Sequence, residues 1–288
     1  MKKVWYEDLT PGMPPEGSLQ VEARGEGDWE FVFPRLTLTI YEYFHDAIES
    51  WEVGDVTFAE QRYRQLLTDY PEFIDAYHHL AILLEETGDE DEAYKLWQHA
   101  VRIGEEHLPD PVRAGKGRLP WLMIDNRPFL RACHGLGLEL RERGEIDEAL
   151  AIFMRLLDWN PNDNQGIRDL VVRCHFLIDQ PDGVLEVCER YPDDGMETLL
   201  YGRALALIQL GEARKAREAL ELAVEHLPLV AQELVKERHR APKDFDPDHI
   251  TLWSPGQAYH YWLEQGHHWK RTEGALELLR EVLEGMEG

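Results

Sequence analysis

The chain has 288 residues, with 56 Asp and Glu against 30 Lys and Arg, for a formal net charge of −26. A surface of that sign repels phosphate and anionic lipid, which excludes nucleic acid and membrane surfaces as general partners. Hydrophobic residues at 43% and aromatics at 10% exclude a disordered chain.

Lys2 and Lys3 are followed by Glu7, Asp8 and Pro11 before an apolar core can form, so no signal peptide is expected. No run approaches the roughly 18 apolar residues of a membrane-spanning helix. Cys133, Cys174 and Cys188 show no CxxC spacing and make no disulfide framework, so a reducing, cytoplasmic compartment is expected. Residues 1–110 carry 25 acids and 8 bases, whereas residues 112–173 carry 9 acids and 10 bases. A near-neutral, arginine-rich centre thus interrupts an acidic molecule.

Leu19, Val21 and Ala23 alternate with polar residues, Gly25-Glu26-Gly27-Asp28 supplies a turn, and Trp29, Phe31 and Phe33 alternate again. This pattern predicts a β-hairpin within a cap spanning 1–36, its aromatics an alternative docking edge. From residue 37 a period of 34 sets in. Gly54 falls over Gly88, Ala59 over Ala93, Tyr63 over Trp97 and Tyr43 over Tyr77. The pattern returns at 130–163 with Gly137, Gly144, Ala149, Phe153 and Pro161, and at 197–230 with Ala204, Gly211, Ala216 and Pro228, around a degenerate unit at 164–196.

A unit of this length holds two helices and a tight turn. The glycines at 54, 88, 144 and 211 sit where the first helix must end in a left-handed residue. Small residues let the paired helices approach, and Tyr63, Trp97 and Phe153 fill the gaps between units. Thr57 with Glu60 and Asp89 with Glu92 have capping-box spacing, Asn126-Arg127-Pro128 reads as an N-cap, and so does Ser254-Pro255. The expected organisation is repeat units over 37–107, an inserted loop over 108–129 rich in Pro and Gly, and further units over 130–230. A loop and a capping helix pair, near 256–266 and 269–284, complete it over 231–288.

These residues resemble the tetratricopeptide repeat (TPR) family over about 40–107 and 130–230. Asn126-Arg127-Pro128-Phe129, Asn160 to Gly166, and Trp269 to Glu277 are further similar to bacterial TPR-like proteins related to the suppressor-of-tumorigenicity family. The resemblance implies an all-α, right-handed α-α superhelix (a TPR solenoid) used for protein contact, without catalytic residues. It also implies that fixed positions of each first helix line a concave groove. Those positions hold Tyr41, Phe44 and Trp51, then His78, then Arg131, His134 and Arg141, then Arg168 and His175. Arginine forks suit carboxylates, so an acidic partner segment is expected there, with pairing to Glu139, Glu142 and Asp169 as the alternative. Lysine and asparagine of the family's carboxylate clamp are replaced by Phe44, Ile48, His78 and Ile82, which disfavours a C-terminal-tail receptor.

No metal or cofactor is expected. Cys133-His134 and Cys174-His175 are sequence neighbours that diverge on a helix, and His78-His79 and His267-His268 have the wrong spacing for one face. Asp244, Asp246 and Asp248 start like a calcium loop, but His249 and Pro255 stand where its glycine and glutamate belong. Gly115-Lys116-Gly117-Arg118 lacks the rest of a phosphate-binding loop. The chain therefore reads as a non-catalytic adaptor for a protein or peptide, monomeric or homodimeric. A self-assembling module and, behind it, a metal-dependent enzyme are the alternatives.

Overall fold

The computed structural model describes residues 18–286, and the readings made on Lys2 to Pro11 lie outside them. The chain divides into two compact units, residues 1–164 and 165–288. Both are built from helix pairs, and the fold is all-α of the solenoid class with one small sheet.

The first unit opens with antiparallel strands β1 (Gln20–Gly25) and β2 (Asp28–Val32), pairing Val21 with Phe31 and Ala23 with Trp29. The hairpin turns through Glu26 and Gly27, at φ 51° and 83°, the conformation that suits a right-twisted two-residue turn. Helices α1 (Leu38–Glu52) and α2 (Val56–Asp69) form the first pair, α3 (Ile74–Thr87) and α4 (Glu90–His107) the second. After a single turn α5 (Asp110–Arg113), α6 (Arg127–Glu142) and α7 (Ile146–Trp159) form the third. Gly54, Gly88 and Gly144 adopt φ of 85°, 91° and 79°, ending each first helix as their spacing requires. Tyr63 and Trp97 are buried against the next pair, on His79 and Gly135, whereas Phe153 is buried within its own pair, on Gly137 and His134.

The second unit holds α8 (Ile167–Leu177) with α9 (Pro181–Arg190), and α10 (Glu197–Gln209) with α11 (Ala213–His226). It continues through the short α12 (Pro228–Leu234), then α13 (Pro255–Arg271) and α14 (Ala275–Met286). Its core collects Tyr201, Tyr261 and Trp269, whose indole donates to the Tyr261 hydroxyl at 3.1 Å.

Four expectations change. The cap of α2 is Asp55, whose carboxylate accepts from the Phe58 N–H at 3.2 Å, so Thr57 lies inside the helix. Asp89 and Ser254 do cap α4 and α13. Asn126 precedes α6 but makes no side-chain cap. Its side chain instead accepts from Phe31 N–H at 3.0 Å and donates to the Trp29 and Pro120 carbonyls, tying the hairpin to the 108–126 segment. That segment is no loose loop. Arg118 donates its N–H to Gly27 O and accepts from Trp29 N–H, Arg118 Nε contacts Asp28 at 2.6 Å, and Leu119 is fully buried. Finally, α13 runs through His267 and His268 to Arg271, and the break falls at Gly274 with φ 74°, where the chain needs the left-handed residue.

Candidate functional site

In the first unit, α3, α4 and α6 enclose a cavity of about 290 Å³ lined by His78, Glu85, Trp97, Arg131, His134 and Leu138, among others. Helical spacing aims these side chains together: His78, Ile82 and Glu85 are one turn apart on α3, and Arg131, His134 and Leu138 on α6. Gly135 sits under the Trp97 indole, where an added Cβ would lie 2.5 Å from Nε1, so glycine permits the close contact of α4 and α6.

The electrostatics follow from burial. Trp97 Nε1–H donates to His78 Nδ1 at 3.2 Å. An indole has only a proton to give, so Nδ1 is the acceptor and His78 carries its own proton on Nε2. Burial, then the charges of His79, Arg131 and His134, push the His78 pKa well below its ordinary value, and it is a neutral donor at neutral pH. Burial also lowers the His134 pKa. At the other edge, Glu85 is pushed up, first by desolvation and then by Glu139, Glu90, Glu142 and Glu86.

Arg131 binds buried Asp75 through one nitrogen, Nη2, at 2.9 and 2.8 Å to the two carboxylate oxygens. Its Nε–H is buried without an acceptor. Part of the guanidinium is thus engaged inside the protein, and part remains to be satisfied.

The structure brings His78, Arg131 and His134 into one cavity, together with Trp97, which sequence reasoning had placed as a core filler. Three other expected groove residues take different positions. Phe44 is 3% exposed, its ring 5.0 Å from Phe73 and 4.9 Å from His79, and it is a core residue because aromatics surround it on α2 and α3. His175 is 8% exposed against Gly183, where an added Cβ would lie 2.2 Å from its ring, so it fills the α8–α9 contact. Tyr41 is half-buried edge-on to Phe73, and burial raises its phenol pKa.

Trp51 donates to Glu86 at 3.1 Å, and Arg141 pairs with Glu142 at 2.8 Å. In the second unit Arg168 pairs with buried Asp194 at 2.8 Å and covers the Tyr191 ring. Asp75 holds a groove position of the repeat beside His78, but its pairing with Arg131, 56 residues away, was missed, and so was that of Arg168 with Asp194, which lies in an irregular segment. Among the described residues no group of His, Cys, Asp and Glu is arranged to hold a metal. No described helix is long and apolar enough to cross a membrane.

Among solved structures, the chain is similar to YrrB, described as a TPR protein with an unusual peptide-binding site, at 18% identity and TM-score 0.46, over 65% of this chain and 85% of that one. It is similar to MamA at 15% identity and TM-score 0.48, over 70% and 97%. A tetratricopeptide repeat protein from Parabacteroides merdae is similar at 13% identity and TM-score 0.47, over 86% of each chain. No curated protein matches. None of these findings links residues 126–288 to the suppressor-of-tumorigenicity relatives. A family model described as "Transcriptional repressor TCF25" matches residues 56–262, most of the helix pairs described above, and the chain belongs to that family.

Proposed function

We propose that the chain is a non-catalytic scaffold whose first unit receives a segment of a partner protein in the cavity between α3, α4 and α6. The observation that carries this reading is that three nitrogen-bearing side chains line one small space: His78, which carries its proton on Nε2, Arg131, whose side chain stays 35% exposed beside its pair with Asp75, and His134. An acceptor-rich, acidic segment complements them, with Ile82, Trp97 and Leu138 supplying apolar contact. Glu85 at the opposite edge favours a backbone N–H or a basic side chain next to that acid. The family's description suggests a place in transcriptional repression. At a net charge of −26 the chain would enter such an assembly through protein contacts rather than through DNA. Buried cysteines outside disulfides suit a reducing compartment, and we assign the protein to the cytoplasm or a compartment of similar redox poise.

Reversing Arg131 is a poor test, since it would set a second acid against buried Asp75. Leu138→Glu is cleaner, because Leu138 lines the cavity and is half-buried. On an array of short peptides graded by net charge, the native chain should retain acidic members. Leu138→Glu should bind them about tenfold or more weakly, a loss of roughly 1.4 kcal/mol. Raising salt from about 0.15 to 0.5 M should weaken the native binding, as screening reduces charge contacts. Equal retention by both proteins would remove the cavity from the account.

A further inference from the structure

Charge is divided along the cavity of the first unit, and the division follows the helices. Asp75 of α3 pairs with Arg131 of α6, while Glu85 of α3 stands near Glu139 and Glu142 of α6. The two helices therefore lie alongside one another and run the same way. His78, Arg131 and His134 share one end of the cavity, and Glu85 lies towards the other.

The two ends differ in charge. At the first, Asp75 offsets the charge of Arg131, and burial keeps His78 and His134 neutral at neutral pH, so little net charge remains there. At the second, Glu85 is joined by Glu86, Glu90, Glu139 and Glu142. The arginines of this end of α6 are already engaged, Arg143 with Glu139 and Asp91, and Arg141 with Glu142. Glu86 accepts from the Trp51 indole. Glu85 itself is exposed, lines the cavity, and makes no side-chain hydrogen bond or ion pair among the described residues. The uncompensated charge of the cavity is thus negative and sits at its edge.

Ile82, one turn before Glu85 on α3, and Leu138 on α6 line the same space. An apolar wall beside a carboxylate fits a lysine or arginine, whose methylene stem packs on apolar groups while its charged head meets the acid. We propose that Glu85 selects the partner segment by a basic residue: the segment carries a lysine or arginine that meets Glu85, about three positions from the acid held at the His78–Arg131 end. This rests on the reading of the cavity as the place of a partner segment. The spacing follows from the helix. His78 and Glu85 are seven residues apart on α3, about 10 Å along its axis, which an extended chain covers in about three residues. A uniformly acidic segment would set like charge against Glu85, and so it is selected against.

A peptide array tests the assignment. Each acidic member is made in three versions: with lysine about three positions from an acid, with glutamate there instead, or with the same lysine moved to about eight positions away. The last keeps composition and net charge unchanged. At about 0.05 M salt, where edge charges are least screened, the native chain should retain the near-lysine version about two- to fivefold more strongly than the others, the range of an exposed ion pair. Glu85→Lys should reverse the order and favour the glutamate version. Glu85 is exposed, so far-UV circular dichroism and thermal melting of that variant should match the native chain. Equal retention of all versions by the native chain would overturn selection by Glu85 while leaving the cavity as the binding place. A preference for near lysine that survives in Glu85→Lys would overturn it too. Retention of no acidic member in any version would remove the cavity reading, and selection by Glu85 with it.

Discussion

Gly104 on α4 faces Phe129 on α6, and a Cβ at that position would lie 2.1 Å from the ring. Phe129 is fully buried, with Phe31 and Trp159 rings at 5.1 and 5.3 Å, so it has nowhere to retreat. Gly104→Ala gains about 1 kcal/mol of helix propensity. Overpacking at this contact should outweigh that gain, for a net loss of about 1–3 kcal/mol in urea unfolding. An unchanged midpoint would show that α4 and α6 are less closely packed than described.

His268 gives a pH signature. It is 1% exposed on α13 beside Phe176, and its Nδ1 is buried without a partner. Burial, then the charges of His267 and Arg271, push its pKa down to about 3. The unfolded chain binds this proton near pH 6.5 and the folded chain does not. Its contribution to stability is therefore complete above pH 6.5 and is lost as pH falls from there towards 3, by up to about 1.4 kcal/mol per pH unit. His268→Gln should flatten the pH dependence of urea unfolding between pH 6 and 4 by about that slope. An unaltered slope would contradict the buried neutral state.

At the scale of elements, local signals were legible and distant pairings were not. The turn glycines at 54, 88 and 144 were readable because a left-handed residue after a helix has few solutions. The hairpin was readable because apolar residues alternate on both sides of Gly25 to Asp28. Asn126 was misread for the same reason, since Asn before Arg-Pro looks like a cap. Its true partners, Phe31 and Trp29, are 95 and 97 positions away, and no local spacing reports them. Asn126→Ala would leave Phe31 N–H and the Trp29 and Pro120 carbonyls without this partner in a buried place. A loss of about 2–4 kcal/mol is expected, with faster exchange of the Phe31 amide proton. Slow exchange at Phe31 in that variant would mean that the hairpin is held elsewhere.

The candidate site shows the same division. His78, Arg131 and His134 were named from their places in the repeat, and they line one cavity. Phe44 and His175 occupy equivalent places but are buried, because the first pair stacks Phe73 and His79 on Phe44 and α9 presents Gly183 to His175. Repeat position gives a direction along the helix, while the neighbouring helix decides whether that direction meets solvent. The Arg131–Asp75 pair, 56 residues apart, changes the chemistry most, since it turns a presumed free fork into a half-engaged one.

For the whole molecule, a chain of net charge −26 has few places to accept another acid, and those places are local. On the proposed function, the first unit provides one through groups fixed by burial rather than by excess charge. The most direct measurement of that claim is a ¹H–¹⁵N NMR titration with an acidic peptide retained by the array, following the indole N–H signals. Trp97 Nε1–H lies in the cavity wall on His78, whereas Trp262 belongs to the second unit, stacked on His239. The account predicts a saturable shift of the Trp97 indole with Trp262 unmoved. A peptide that binds while the Trp97 signal stays still would contradict it.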